Sequence, residues 1–146
     1  MDCIFCKIID RSAPAEILYE TDTVISFLDI LPVNLGHALV VPKGHYRDLT
    51  EVPAVILGEL FSTVQRLSPV ITGAVQAEGF NIIGNNGRAA GQTVFHCHIH
   101  IIPRYHDDKG RFRRPQFLQY NNGSFREYGK NLRESIKKES STWKEK

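Results

Sequence analysis

The 146-residue chain predicts an α+β fold: a mainly antiparallel five-stranded sheet, one long helix and a C-terminal helical tail. Two observations carry this prediction. Short strand-like apolar segments recur at 17–20, 24–28, 38–41, 80–84 and 95–102, while one segment, about 53–78, switches to helical spacing. The order of elements (hairpin, strand, long helix, two strands, tail) is that of an α+β chain. A content of 42% apolar and 23% charged residues is ordinary for a globular domain with a real core.

Cys3 to Asp10 reads as a short turn or helical piece, broken by Ser12-Ala13-Pro14. Ile17–Glu20 and Val24–Leu28 read as strands joined by a tight turn at Thr21-Asp22. Leu31 to Gly36 is a loop, and Ala38–Val41 is a buried strand ended by Pro42. In the helical segment Ile56, Leu57, Leu60, Phe61, Val64, Leu67, Ile71, Ala74 and Val75 recur on one side. Pro53 suits its first turn, Glu78-Gly79 its stop, and Pro69 predicts a kink or break. Val52, Val55 and Val70 add apolar residues on another side, which a second buried surface would use. Phe80–Gly84 is a strand, Asn85 to Gly91 a glycine-rich loop, and Phe95–Ile102 a strand ended by Pro103. An irregular stretch leads to a helix near Phe125–Lys138. The expected organisation is one domain over 1–146, with a core at about 3–105 and an extension at 106–146.

No apolar run approaches bilayer-spanning length, and the N-terminus lacks the basic start and apolar stretch of a secretory signal. Three cysteines, Cys3, Cys6 and Cys97, do not make a disulfide framework. In a reducing compartment Cys3-Ile4-Phe5-Cys6 reads as a metal or redox pair. The chain therefore reads as intracellular and cytoplasmic, with the nucleus also open to it in a eukaryote. Residues 1–103 carry 6 Lys and Arg against 10 Asp and Glu, a net −4; residues 104–146 carry 12 against 6, a net +6. The basic tail reads as a solvated helical face, or as a rim that attracts polyanionic nucleotides. Phe112, Phe117, Tyr120, Phe125 and Tyr128 interleave its charges without forming a nucleic-acid motif. Neither nucleic acid nor membrane is an expected partner.

His96, His98 and His100 fill alternate positions of one extended segment. Side chains alternate faces along a strand, so the three imidazoles share one face and Cys97, Ile99 and Ile101 the other. The second face is apolar and reads as core, with Cys97 a packed thiol and not a nucleophile. A row of three imidazoles serves no core and points to chemistry. His37 and His45 flank the strand 38–41.

These residues resemble the histidine triad (HIT) family, whose hallmark is three histidines alternating with apolar residues. His96-Cys97-His98-Ile99-His100-Ile101-Ile102 fits at every position. The resemblance extends from about Ile4 to Tyr105 and takes in Phe27-Leu28-Asp29-Ile30, Gly36-His37 through His45, and Asn85 with Gly91-Gln92-Thr93-Val94. It implies a HIT-like fold and a two-step mechanism. His98 would attack the α-phosphorus through Nε2 while its other nitrogen donates to a backbone carbonyl; a neutral imidazole has only one lone pair to attack with. His100 and Gln92 would hold the phosphoryl oxygens, Thr93 would lie near the leaving group, and His37 would support the site. Asp29 would take the ribose hydroxyls, Phe27, Leu28 and Ile30 would line the base pocket, and Asn85 would reach the phosphate region. Without the resemblance Asp29 reads as a turn residue after a strand, and Gly91 as a loop glycine rather than one admitting backbone to phosphate.

One Cys-x-x-Cys supplies two metal ligands, and a tetrahedral site needs four. His37, His45, His96 and His106 are available. The resemblance implies a structural zinc on Cys3, Cys6, His45 and His96. His96 could not then also relay a proton to His98.

The resemblance leaves several activities open. The first is hydrolysis of purine nucleoside phosphoramidates (an AMP or GMP moiety joined to an amine), the second hydrolysis of dinucleoside polyphosphates. A third, nucleotidyl transfer to a sugar phosphate, would need an acceptor site for which the chain looks too short. A fourth is a nucleotide-binding regulatory module with incidental catalysis. Proteins of this kind and size are expected to form homodimers through the long helix and an edge strand.

Overall fold

The computed structural model describes residues 3–108, 120–121 and 124–140. They belong to two compact units, 1–111 and 112–146. The tail residues Phe112 and Phe117 lie outside the described residues.

The first unit starts with a short helix α1 (Ile4–Ile9) and the strands β1 (Ile17–Glu20), β2 (Val24–Leu28) and β3 (Ala38–Pro42). The long helix α2 (Ala54–Ala74) follows, then β4 (Gly79–Ile83) and β5 (Ile99–Arg104). The five strands form one antiparallel sheet, as the sequence predicts, and their order is β1-β2-β3-β5-β4. The β1–β2 turn closes through the Thr21 amide on the Val24 carbonyl at 2.8 Å, with the Thr21 hydroxyl accepting from the amides of Thr23 and Val24.

Strand alternation divides the core in two. Val24, Val40, Cys97, Ile99 and Ile101 face α2, where Leu60 and Val64 pack with Val52. Ile25, Phe27, Leu39 and Val41 face the other way and are covered by Cys3, Phe5 and Ile8 of the N-terminal segment. Val52 is thus core, whereas Val55 and Val70 stay 73% and 65% exposed, so only they belong to a second apolar side.

Four features of α2 and β5 depart from expectation. Helix α2 runs through Pro69 unbroken. The carbonyl that Pro69 cannot bond belongs to Gln65, and both residues lie on the exposed side of the helix, away from the core. The helix ends at Ala74, before the expected stop at Glu78-Gly79. Gln76 turns left-handed at φ 53°, and the Ala77 amide closes on the Thr72 carbonyl at 2.9 Å. Strand β5 begins at Ile99 and not at Phe95, and continues through Pro103 to Arg104. Residues 94–96 form a bend, and 97–98 lie outside the ladder, tied by the Cys97 amide to the Tyr46 carbonyl at 2.6 Å. Lastly, α2, at 21 residues, is long and apolar enough to cross a bilayer by length and composition, contrary to expectation. Its Leu60 and Val64 are instead packed on the sheet.

In the second unit, α3 (Ser124–Ser140) displays exposed Phe125, Tyr128, Leu132 and Ile136, and Tyr120 packs edge-on to Phe125 and Tyr128. This helix was predicted at nearly these bounds.

Candidate functional site: an imidazole row between a thiol cluster and a backbone-locked relay

The alternation 96, 98, 100 survives although only His100 lies within β5. The His98 and His100 rings stand 4.9 Å apart. The register places Leu39 and Ile83 on either side of His100, and Phe5 meets the His98 ring edge-on at 5.1 Å. That contact was not visible in sequence, because α1 and the histidines are about 90 positions apart.

Each imidazole has one nitrogen committed to a defined partner. His98 Nδ1 donates to the His96 carbonyl at 2.6 Å, which leaves the Nε2 lone pair free. His96 Nε2 donates to the Pro42 carbonyl at 2.8 Å, which turns its Nδ1 lone pair towards the cysteines. That nitrogen lies 3.5 Å from Cys3 Sγ and 3.6 Å from Cys6 Sγ; His45 Nδ1 lies 3.3 Å from Cys6 Sγ. The four ligand atoms all fall within 4.8 Å of one another. Bond lengths of about 2.3 Å to sulfur and about 2.0–2.1 Å to nitrogen at tetrahedral angles give an S···N edge of about 3.6 Å, which the three separations above match, so the donor set suits zinc. Burial and the neighbouring Cys3 push the Cys6 thiol above its ordinary pKa. A cation among the four would reverse that and draw off the protons.

Asp29, His37 and His100 form a second group of metal-ligating type. Its tautomers make it something else. The Val33 amide donates to His37 Nδ1 at 3.1 Å, so the proton of a neutral His37 sits on Nε2. That proton points at His100 Nδ1, 2.9 Å away. His100 must then carry its own proton on Nε2. Two nitrogens joined by one proton are a relay, not a pair of open metal ligands. Asp29 Oδ2 stands 3.6 Å from His37 Nε2, and Oδ1 accepts the Leu31 amide at 2.9 Å, the turn role that the bare sequence suggested. Burial lowers the pKa of His37, His96 and His98. Burial, then the neighbouring His98 and His37, takes His100 down to about 4. The row is therefore neutral at physiological pH.

The loop before His37 is held from a distance. Asn34 Nδ2 donates to the Pro103 carbonyl at 2.8 Å and to the Asp108 carboxylate. Gly36 has φ +87°, and a Cβ there would meet Val75 Cγ1 at 2.8 Å, so only glycine fits.

Other expected site residues are placed as follows. Gln92 is buried, and its amide is fully engaged: Oε1 accepts the Gly87 amide at 2.8 Å, and Nε2 donates to the carbonyls of Arg47 and Val94 at 2.7 and 3.1 Å. Gly91 sits at φ +87°, a position at which glycine is needed, and it lies beside Asn85. Thr93 lines a cavity with Cys3, Ile4, His45, Arg47, Val94 and Phe95. Phe27 is core, packed 5.4 Å from Phe5, Leu28 is half-buried, and Ile30 is 88% exposed. Cys97 is buried among apolar residues, and burial raises its thiol to about 11, in keeping with a structural role.

Residues 10–107 match the HIT domain family. An uncharacterized HIT-like protein of Methanocaldococcus jannaschii is 49% identical over 106 residues, covering 73% of this chain and 81% of its own. Adenylylsulfatase HINT3 of Arabidopsis thaliana is 46% identical over 107 residues, 73% of this chain and 54% of that longer protein. Adenosine 5′-monophosphoramidase hnt1 of Schizosaccharomyces pombe is 40% identical over 110 residues, 75% of this chain and 80% of its own. Among solved structures, a HIT family protein from Bacillus anthracis superposes with a TM-score of 0.84 at 38% identity, covering 98% of both chains. A zinc-bound histidine triad family protein from Mycobacterium smegmatis gives 0.73 at 38% identity, over 98% of this chain and 99% of its own. With the alternating histidines and five-stranded sheet already in place, these matches show that the chain belongs to the HIT family of nucleotide hydrolases.

Proposed function

We propose that this protein hydrolyses purine nucleoside 5′-phosphoramidates, AMP or GMP joined to an amine, through a nucleotidyl group carried on His98. The observation behind this reading is the His98 tautomer: Nδ1 is spent on the His96 carbonyl, and a neutral ring presents Nε2 as nucleophile. In the first step the Nε2–P bond forms, the P–N bond of the substrate breaks, and the amine leaves with a proton taken from solvent, which the water of the second step returns. In the second, water attacks phosphorus, the Nε2–P bond breaks, and the nucleoside monophosphate leaves. His100, protonated on Nε2 by the relay through His37, donates to a phosphoryl oxygen as charge builds. Gln92 acts by tying the 87–92 turn to Arg47, so that Gly91 and Asn85 present the loop to the phosphate. Asp29 keeps lone pairs for the ribose hydroxyls, Leu28 and Ile30 flank the base above Phe27, and Thr93 lies towards the leaving group. The names of two relatives, a phosphoramidase and an adenylylsulfatase, both point to an adenylyl conjugate.

Zinc on Cys3, Cys6, His45 and His96 would be structural, pinning the N-terminal segment to the histidine segment. The two cysteines are free thiols, which suits a cytoplasmic setting. Edge strand β4 exposes Phe80 and Ile82, and α2 exposes Val55, Phe61 and Val70; these are the surfaces we assign to a homodimer. Assaying an AMP–amine conjugate beside diadenosine polyphosphates tests the function. Faster hydrolysis of the polyphosphates would move the chain to that activity. A His98→Ala variant with full turnover on every substrate would remove the nucleotidyl-His98 reading.

A further inference from the structure

The loop between β2 and β3 carries the amide that sets the His37 tautomer, and its apolar side chains give it little hold. Ile30, Leu31 and Leu35 are 88%, 82% and 79% exposed, so their burial does not fix the segment. Asp29 and His37 pin its two ends: the Leu31 amide donates to Asp29 Oδ1, and the Asp29 amide donates to the His37 carbonyl. Between those ends Asn34 reaches across to the far end of β5. Its Nδ2 donates to the Pro103 carbonyl at 2.8 Å and to both oxygens of Asp108, at 3.0 and 2.9 Å.

Asp108 suits this grip. Its side chain is 10% exposed, and three donors converge on it: Asn34 Nδ2, Arg104 Nε at 2.7 Å and the Tyr105 amide at 3.0 Å. An ionised carboxylate only accepts, on two oxygens with about four lone-pair sites, so it takes all three donors at once. An asparagine would turn an NH2 group towards one of them. The turn that presents Asp108 is itself tied down. Arg104 also donates to Asn81 Oδ1 at 3.2 Å on β4, and the Tyr105 hydroxyl donates to the Val75 carbonyl at 2.9 Å, at the end of α2.

The grip passes to the imidazoles in short steps. The Asn34 carbonyl accepts the His37 amide at 3.0 Å, while the adjacent Val33 amide donates to His37 Nδ1 at 3.1 Å. His37 Nε2 meets His100 Nδ1 at 2.9 Å. His100 and Pro103 both lie in β5, so the contacts close a ring. Strand β5 and the turn after it hold Asn34, Asn34 and Val33 hold His37, and His37 returns to β5 at His100. A hydrogen bond to a ring nitrogen fixes a tautomer only while its donor stays in line, because the bond weakens steeply as the angle falls. We propose that Asp108 is a positioning residue for this relay: through Asn34 its carboxylate keeps the Val33 amide on His37 Nδ1, and so keeps the His100 proton on Nε2, towards the substrate. The catalytic consequence rests on the nucleotidyl-transfer reading above; the tautomer consequence does not.

The test is Asp108→Asn, which keeps the shape of the side chain and removes an acceptor. Nitrogen-15 spectra of the free protein read the His100 ring, and the nitrogen–nitrogen coupling across the Val33–His37 hydrogen bond reads that bond directly. In the variant the coupling is expected to weaken and the His100 ring to show a mixed tautomer. On an AMP–amine conjugate kcat is expected to fall about tenfold, with KM changed by less than about twofold. Asp107→Asn, which removes the exposed acid next door, is expected to move none of these. Should Asp108→Asn fail to fold, Asn34→Ala reads the same ring and the same coupling, with the same expected outcome. A moved tautomer without turnover even in the intact protein keeps the positioning role and sinks the hydrolytic reading. Full kcat alongside a mixed tautomer overturns the catalytic part. A purely structural carboxylate would lower the unfolding temperature and leave both spectra alone, and that result in a folded variant overturns the proposal.

Discussion

His37 Nε2 lies 2.9 Å from His100 Nδ1, and the proton between them belongs to His37 because the Val33 amide occupies its other nitrogen. A backbone amide four residues before His37 thus sets the protonation of an imidazole on a strand more than sixty residues later.

Breaking this relay should damage catalysis more than binding. In His37→Phe the His100 proton is free to move to Nδ1, away from the substrate. The expected loss is about 10–100-fold in kcat with a smaller change in KM. Nitrogen-15 spectra of the His100 ring should show a mixed tautomer, while metal content stays unchanged. An unaltered ring spectrum alongside full kcat would mean that the relay does not set the tautomer.

The thiol cluster should hold about one zinc per chain when the protein is purified without chelator. Cys6→Ser should lose the metal and lower Tm by about 10 °C, since structural zinc contributes directly to folding free energy. A metal-free wild type with the same Tm as the zinc-loaded protein would count against the site.

Acid should destabilise the fold through His100. An unfolded imidazole protonates near its ordinary 6.5, whereas the folded one resists until about 4. Between those values the unfolded chain binds more protons, so stability rises with pH across this window and is complete above it. As pH falls from 6.5 towards 4 the loss should reach about 3 kcal/mol from this residue. Urea midpoints measured from pH 8 to 4.5 should show the slope, and His100→Gln should reduce it, leaving the part due to His37, His96 and His98.

Gln92→Ala would strip three backbone groups of their partner: the Gly87 amide and the carbonyls of Arg47 and Val94. The three bonds are only partly buried, so water replaces part of what is lost and the expected cost is about 1–2 kcal/mol. Hydrogen exchange at the Gly87 amide should accelerate with it. A fully stable variant that lost only turnover would show that the side chain serves the phosphate and not the loop.

Cys97 offers a contrast within the same segment. Its thiol is raised to about 11 among apolar neighbours, so alkylation of the folded protein should spare it until denaturant is added.

The sequence by itself determined the elements and the chemistry-bearing row. The strands 17–20 and 24–28 were legible to the residue, since alternation and turn residues act over a few positions. The same local alternation put Cys97, Ile99 and Ile101 on one face and three imidazoles on the other. The family resemblance picked out Cys3, Cys6, His45 and His96 together, and the fold brings them within reach of one ion. Tertiary structure alone decided which nitrogen of each ring is free, because the deciding partners are the backbone groups of Pro42, Val33 and His96, which carry no side-chain signature. It also decided that Pro69 is tolerated, since only the fold shows that Gln65 faces water. The grip of Asp108 on Asn34 was equally invisible, because it joins loops 74 residues apart through side-chain hydrogen bonds that no periodicity records.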